Sequence, residues 1–361
     1  MAWLDSYKKE LTDLKNLFSK ENKVVVHHRD VDGSCSVSQF LKFFHCKTFS
    51  IKDPFIPDDL IAELAELKPE VVIFMDIGVD EHWQRLVKIK DNIPGTKIVL
   101  IDHHVIQKDI NKLEMMHINP RFQDPDAYVP ASLMVFDILT ALGLKTKSMS
   151  WIACIGVISD YGHKQNKEFI DVCKKQYSTL LDATDLIDSK LGTAAKTIYS
   201  AIVLKGEYGV RKVVDILVNS GGFEEFEETR DLRKWKEVVD KEVENIIQDF
   251  EKNKELRGNV IFFEIKSKLN LASIISNIIS QKFSDKIIVI GKNVNGSWKV
   301  SARSPKHGSG SGKSVNLAEV VKKACEGIGY GGGHPQAAGA SVEDWEKFKD
   351  RVVSLISTSS K

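Results

Sequence analysis

The 361-residue chain predicts an α/β protein: an N-terminal parallel-sheet domain, a helical connector and a smaller C-terminal α/β domain, with the active site in the cleft between the two domains. Three observations carry this. Short β-branched runs alternate with helical stretches from residue 23 to about residue 158. Three of those runs close on acidic residues, namely Asp30 with Asp32, Asp76, and Asp102. Strand periodicity then vanishes after Gly162 and resumes at residue 259. A chain of this length also exceeds one ordinary core, so two domains are expected.

The elements follow in order. Residues 3–19 read as an amphipathic opening helix. The run KVVVH at 23–27 is a strand, leading through a polar turn with Gly33 into a helix over 36–44. A helix at 58–67, a strand at 71–75 (VVIFM), a helix at 81–90 and a strand at 97–101 (KIVLI) repeat the pattern. Apolar helices at 131–142 and 151–158 complete a first domain taken as residues 1–165. Apolar strands of this kind belong to a parallel sheet covered on both faces. Open sheets of that type bind ligands outside the carboxyl ends of their strands, where these acidic residues fall.

Residues 166–254 read as the helical connector, and their charged last third suits a solvated helix joining two domains. The C-terminal domain is taken as residues 255–361, with strands at 259–266, 286–290 and 298–303 and helices at 271–283, 317–325 and 344–357. Asn295-Gly296 marks a hairpin between the second and third of these strands. The GSGSG run at 308–312 reads as a mobile loop. Lys313 and Ser314 give it the look of a phosphate-binding loop, but the first Walker glycine would fall at position 307, which is histidine.

Composition narrows the function. A net charge of +1, from 51 basic and 50 acidic residues, excludes a coat of basic charge for gripping long duplexes, though not a local groove for a short strand. The five cysteines contain no C-x-x-C pair, so neither a disulfide framework nor a structural zinc knuckle is expected. The charged N-terminus lacks a signal-peptide core and no window reaches 18 apolar residues, which together predict a cytoplasmic protein with no membrane span.

Four clusters carry chemistry. His28, Asp30 and Asp32 stand where the first strand runs into its turn, Asp76 closes the second, Asp102-His103-His104 closes the third, and Asp160 ends an apolar helix. Taken alone, D-x-D-G also suits an acidic turn or a calcium loop, and a strand-end Asp is often a helix cap. Imidazoles and carboxylates at the end of a buried strand have no such simple excuse, because burying them unpaired costs several kcal/mol. Neutral imidazole with carboxylates suits divalent metals such as Mn²⁺, Mg²⁺ or Zn²⁺.

With these motifs in place, the sequence resembles the DHH phosphoesterases, a family that includes RecJ-type single-strand exonucleases, nanoRNases, phosphoadenosine phosphatases, cyclic-dinucleotide phosphodiesterases and family II pyrophosphatases. The naming motif is Asp102-His103-His104, and H-x-D-x-D-G stands at His28 to Gly33. Ser301-Ala302-Arg303-Ser304 and Gly331-Gly332-Gly333-His334 match the family's C-terminal domain. The resemblance implies two divalent cations, Mn²⁺ by family preference, with Mg²⁺ or Co²⁺ as alternatives. His28 and Asp30 would bind one, Asp32, His103 and Asp160 the other, and Asp76 would bridge them. Asp102 would orient His103 from behind, and His104 would face the substrate.

The glycines Gly331, Gly332 and Gly333 read as a turn or, in this context, as an anion-binding concavity, with His334 and Arg303 adding charge-assisted contacts to a substrate phosphate. The implied substrate is a single-stranded or short oligonucleotide, cleaved in RecJ-like or nanoRNase-like fashion. The alternative is a small-molecule phosphatase or cyclic-dinucleotide phosphodiesterase, acting on phosphoadenosine phosphate or cyclic di-AMP. Near-neutral charge and no OB-fold-like segment after residue 342 favour oligonucleotides of a few residues. A homodimer and a replication or repair partner stay open, and the sequence specifies neither. The remaining residues read as structural: His45, His82, His117 and His163 as surface or core histidines, Trp235 and Trp298 as core before base-stacking platforms, and His27 as packing behind the site or competing with His28.

Overall fold

The computed structural model describes residues 2–305 and 315–359, so the glycine-serine loop at 308–312 lies outside the described residues. The chain divides into two compact units, Met1–Lys236 and Glu237–Lys361.

In the first unit, helix α1 (Lys8–Phe18) precedes β1 (Lys23–His28), α2 (Val31–Leu41), β2 (Lys47–Ile51), α3 (Asp58–Leu67), β3 (Val71–Met75), α4 (Trp83–Asn92), β4 (Lys97–Ile101) and β5 (Met116–Ile118). The five strands form one parallel sheet in the order β2-β1-β3-β4-β5. The chain passes from β1 to β2 on one side and then crosses over to β3 on the other, so the crevice of this sheet opens at the carboxyl ends of β1 and β3. Register places His27 beside Met75 and Met75 beside Ile101, which brings the residues that follow each strand to one edge.

Alternate strand residues face opposite layers. Val25, Ile73, Met75, Val99 and Ile101 join a core with α2, α5 (Ala131–Ala141) and α6 (Ser150–Ser159). Val24, Val26, Val72, Phe74 and Leu100 join a second core with α3 and α4. The remaining helices of this unit are α7 (Lys167–Gln176), α8 (Lys190–Lys205), α9 (Glu207–Asn219) and α10 (Phe223–Glu227). They supply Cys173, Leu191, Ile198, Val213, Leu217 and Phe226 to the first core, so this part of the expected connector packs as body of the first unit. Helix α11 (Arg230–Asn253) runs through the boundary between the units.

The second unit holds β6 (Glu255–Arg257), β7 (Val260–Glu264), α12 (Ala272–Lys282), β8 (Ile287–Val294), β9 (Ser297–Arg303), α13 (Leu317–Ala324), β10 (Gly329–His334), β11 (Ala337–Val342) and α14 (Trp345–Ser359). Its sheet is mixed, in the order β10-β11-β9-β8-β7-β6. The turn reading of Gly331–Gly333 is corrected here: these glycines form an edge strand, pairing with Ala340, Gly339 and Ala338 of β11. Two of them have structural reasons. A Cβ at Gly331 would stand 2.7 Å from Val321 and 2.9 Å from the Cys325 sulfur, and Gly333 has φ +138°, which side chains disfavour. Gly332 faces open space. No helix among the described residues is long and apolar enough to cross a membrane.

Candidate metal centre

The first turn of α2 differs from the expected loop, because the helix begins at Val31. Asp30 is its N-cap, and its Oδ1 accepts from the Gly33 amide at 2.8 Å. Asp32 therefore lies within the helix and is fully buried. Its carboxylate is fixed in turn by the start of α5, with Oδ2 accepting from the Ala131 amide at 2.7 Å and Oδ1 from the Ser132 amide at 3.2 Å. A negative charge at a helix N-terminus is favourable, and these amides would otherwise lack acceptors.

Asp76 follows β3 in a left-handed conformation, φ +61°, its amide donating to the Ile101 carbonyl. Asp is among the few side chains that accept this backbone, and it turns the carboxylate back over the ends of β1 and β4. Asp76 Oδ2 lies 3.7 Å from His28 Nδ1, which is itself 2.9 Å from Asp30 Oδ2. Asp76 Oδ1 lies 3.2 Å from His103 Nε2, which is 3.3 Å from Asp160 Oδ2. Candidate ligand atoms of His28, Asp30 and Asp76 form one compact group, those of Asp32, His103 and Asp160 a second, and those of Asp76, His103 and His104 a third. Every predicted ligand is thus drawn together, with Asp76 between the two triads.

The electrostatics fit cations. Burial, then the neighbouring Asp76 and Asp160, pushes the Asp32 carboxyl well above its ordinary range. Burial and Asp30 do the same to Asp76, and burial raises Asp160. Asp30 moves the other way: burial works against its ionisation, but the His28 imidazole beside it prevails and lowers it. Among the described residues, Asp76 Oδ2 and both ring nitrogens of His103 are buried without a well-formed hydrogen bond, and His28 Nδ1 has only the Asp30 carboxylate close by, at 2.9 Å. Buried donors and acceptors are rarely left so, and cations at the two triads would take His103 Nε2 and Asp76 Oδ2 while neutralising the crowded carboxylates.

One expected role changes hands. Asp102 does not hold His103. It holds His104, through Oδ1 to the ring Nδ1 at 2.7 Å and Oδ2 to the backbone amide at 3.1 Å. Burial opposes ionisation of Asp102, but the His104 imidazole outweighs it and brings the carboxyl down to about 2. The His104 side chain remains 47% exposed. His27 packs behind, buried, with Nδ1 2.8 Å from the His28 carbonyl, so it does not compete as a ligand.

Sequence reasoning missed the residues that hold the centre in place. Arg121 Nε donates to the His103 carbonyl at 2.9 Å and Asn119 Nδ2 to the His104 carbonyl at 3.0 Å. Asp80 accepts from the Gln107 and Lys108 amides, at 2.7 and 2.9 Å. The Tyr128 hydroxyl donates to Asp160, 3.0 Å from its carbonyl and 3.2 Å from Oδ2. These residues lie in loops or single 3-10 turns, and nothing in their spacing marks them.

In the second unit, Arg303 at the end of β9 donates through Nε to Asn277 Oδ1 at 2.6 Å and through Nη2 to Ser273 Oγ at 3.0 Å, both on α12. Trp298 stacks on Trp345 with ring centroids 5.3 Å apart, and Trp235 packs against the first core.

Comparison with known proteins agrees with this architecture. The DHH family N-terminal domain matches residues 22–181 and the DHHA1 domain matches residues 258–358. No curated protein sequence matches the chain. Among solved structures, RecJ in complex with Mn²⁺ from Thermus thermophilus superposes with a TM-score of 0.73 at 16% identity, covering 97% of this chain and 54% of that one. The chain therefore spans about half the length of that relative. An exonuclease RecJ bound to manganese gives 0.69 at 15% identity, covering 97% and 94%. The DHH domain of a member of a family of ribosomal proteins gives 0.76 at 16% identity, covering 99% and 92%. At these identities the likeness is one of fold.

Proposed function

Because the chain belongs to the DHH family of metal-dependent phosphoesterases, carrying both its N-terminal domain and a DHHA1 domain, we propose that it hydrolyses phosphodiester bonds in single-stranded or short oligonucleotides. The observation that carries this reading is the pair of triads meeting at Asp76. His28, Asp30 and Asp76 would hold one cation, and Asp32, His103 and Asp160 the other, with Mn²⁺ the expected metal. Bound there, two cations would polarise a phosphoryl oxygen and neutralise charge building on it during in-line attack by water.

The chain's own residues supply the rest. His104 is held by Asp102 through Nδ1, which leaves Nε2 to donate to a phosphoryl oxygen or to the leaving group. Asp102 keeps that ring oriented and favours its charged form: burial alone would lower the His104 pKa, and Asp102 raises it instead. In the DHHA1 domain, Arg303, those amides of Gly331, Gly332 and Gly333 that face away from β11, and His334 would bind a substrate phosphate.

The test is to incubate the full chain and Mn²⁺ with end-labelled dinucleotides, longer single-stranded DNA and RNA, phosphoadenosine phosphate and cyclic di-AMP. Ladders from longer strands or cleavage of dinucleotides support the proposal. Turnover confined to phosphoadenosine phosphate or cyclic di-AMP would replace it with the small-molecule reading, and no turnover of any substrate would overturn it.

A further inference from the structure

We infer that residues 128–132, which lead into and begin α5, act as a clasp that positions both carboxylates of the Asp32–His103–Asp160 triad, with Tyr128 as its positioning residue. The inference rests on the reading of that triad as a cation site.

The two triads are supported differently. Asp30 receives the Gly33 amide of its own turn, and the near neighbours of His28 Nδ1 lie within the triad itself, Asp30 Oδ2 at 2.9 Å and Asp76 Oδ2 at 3.7 Å. In the other triad both carboxylates are gripped from outside, and by one segment. Its last two residues cap Asp32 with the Ala131 and Ser132 amides. Its first residue, Tyr128, reaches Asp160 through the phenol, and the same ring stands edge-on to His103 at 5.2 Å.

The clasp is itself anchored on the Asp160 side. Asn166 Nδ2 donates to the Tyr128 carbonyl at 2.9 Å and to the Gly162 carbonyl at 2.8 Å. Pro130 packs so tightly on Gly162 that a Cβ there would stand 2.5 Å from the proline ring. Movement of residues 128–132 would therefore shift Asp32 and Asp160 together.

The single hydroxyl hydrogen of Tyr128 has two acceptors on Asp160, the carbonyl and Oδ2. It can stay on the carbonyl while Oδ2 turns to a cation, so the phenol restricts the carboxylate's rotation without consuming its ligand capacity. Groups that orient metal ligands in this way typically change metal affinity roughly 10–100-fold when removed.

The test is calorimetric titration of the full, metal-free chain with Mn²⁺. Wild type is expected to show two binding events, and Asp160→Asn identifies the event that belongs to this triad. Tyr128→Phe keeps the ring and removes the hydroxyl; it should weaken that event roughly tenfold or more and leave the other within about twofold. Gly162→Ala, which pushes Pro130 away, should weaken the same event. Unchanged affinities in Tyr128→Phe, or equal losses in both events, would overturn the clasp. Absence of Mn²⁺ uptake by wild type would overturn the cation reading and the clasp with it.

Discussion

Asp102 Oδ1 lies 2.7 Å from His104 Nδ1, which makes a buried carboxylate the partner of the one histidine in its motif that stays half exposed. The pair has the geometry of an oriented proton donor, distinct from the neighbouring His103, whose Nε2 faces Asp76 and Asp160. Asp102→Asn and His104→Gln should each lower kcat on the order of a hundredfold, the usual scale for a positioned acid. The double variant should be little worse than either single one, since the two act as a unit. Mn²⁺ affinity measured alongside should be nearly unchanged, and a large loss would move His104 into the ligand set.

Gly156 lies in α6 where a Cβ would stand 2.2 Å from Ser132 Oγ and 2.4 Å from Asp32 Oδ1. Gly156→Ala should therefore displace the Asp32 carboxylate. Overpacking of this kind costs about 1–3 kcal/mol. Thermal melts with and without Mn²⁺ should show a lower Tm and a smaller stabilisation by the metal than in wild type.

Arg303 is fixed to α12 through Asn277 and Ser273 before any substrate arrives. Removing a charged donor to a phosphate costs about 1.5–3 kcal/mol. Arg303→Ala should raise KM for an oligonucleotide by roughly tenfold or more while kcat changes far less. Equal KM and reduced kcat would place Arg303 in the chemical step instead.

A pH effect is expected away from the metal centre. Asp137 in α5 is buried, with Trp3 Nε1 donating to its Oδ2 at 2.8 Å. Burial raises its pKa from 3.8 to about 6. The folded state thus binds this proton more tightly than the unfolded chain. That contribution is complete below 3.8 and is lost as pH rises through about 6. Asp137→Asn, which keeps an acceptor for Trp3, should raise Tm relative to wild type at pH 8 and make no such difference at pH 4.

The parts of this molecule that were legible in the sequence are those with one-dimensional signals. Strands β1, β3 and β4 are continuous apolar runs, buried on both faces, and each hands the chain to an acidic or imidazole ligand. Strands β2 and β5 escaped notice because one is half exposed and the other three residues long. The glycine strand β10 has poor strand propensity and exists because β11 pairs with it. Helix α2 begins five residues before its apolar pattern does, since Asp30 caps it. Tyr128, Asn119, Arg121 and Asp80 were invisible because their roles come from loops and short 3-10 turns folded around the site, a tertiary property with no period.

The account depends on Asp76 standing between two cations. Crystals of the full chain soaked in Mn²⁺ and measured at the manganese absorption edge test this directly. The predicted result is two anomalous peaks, one bounded by His28 and Asp30, the other by Asp32, His103 and Asp160, with the Asp76 carboxylate reaching both. Fully soaked crystals with no peak in contact with Asp76 would contradict it.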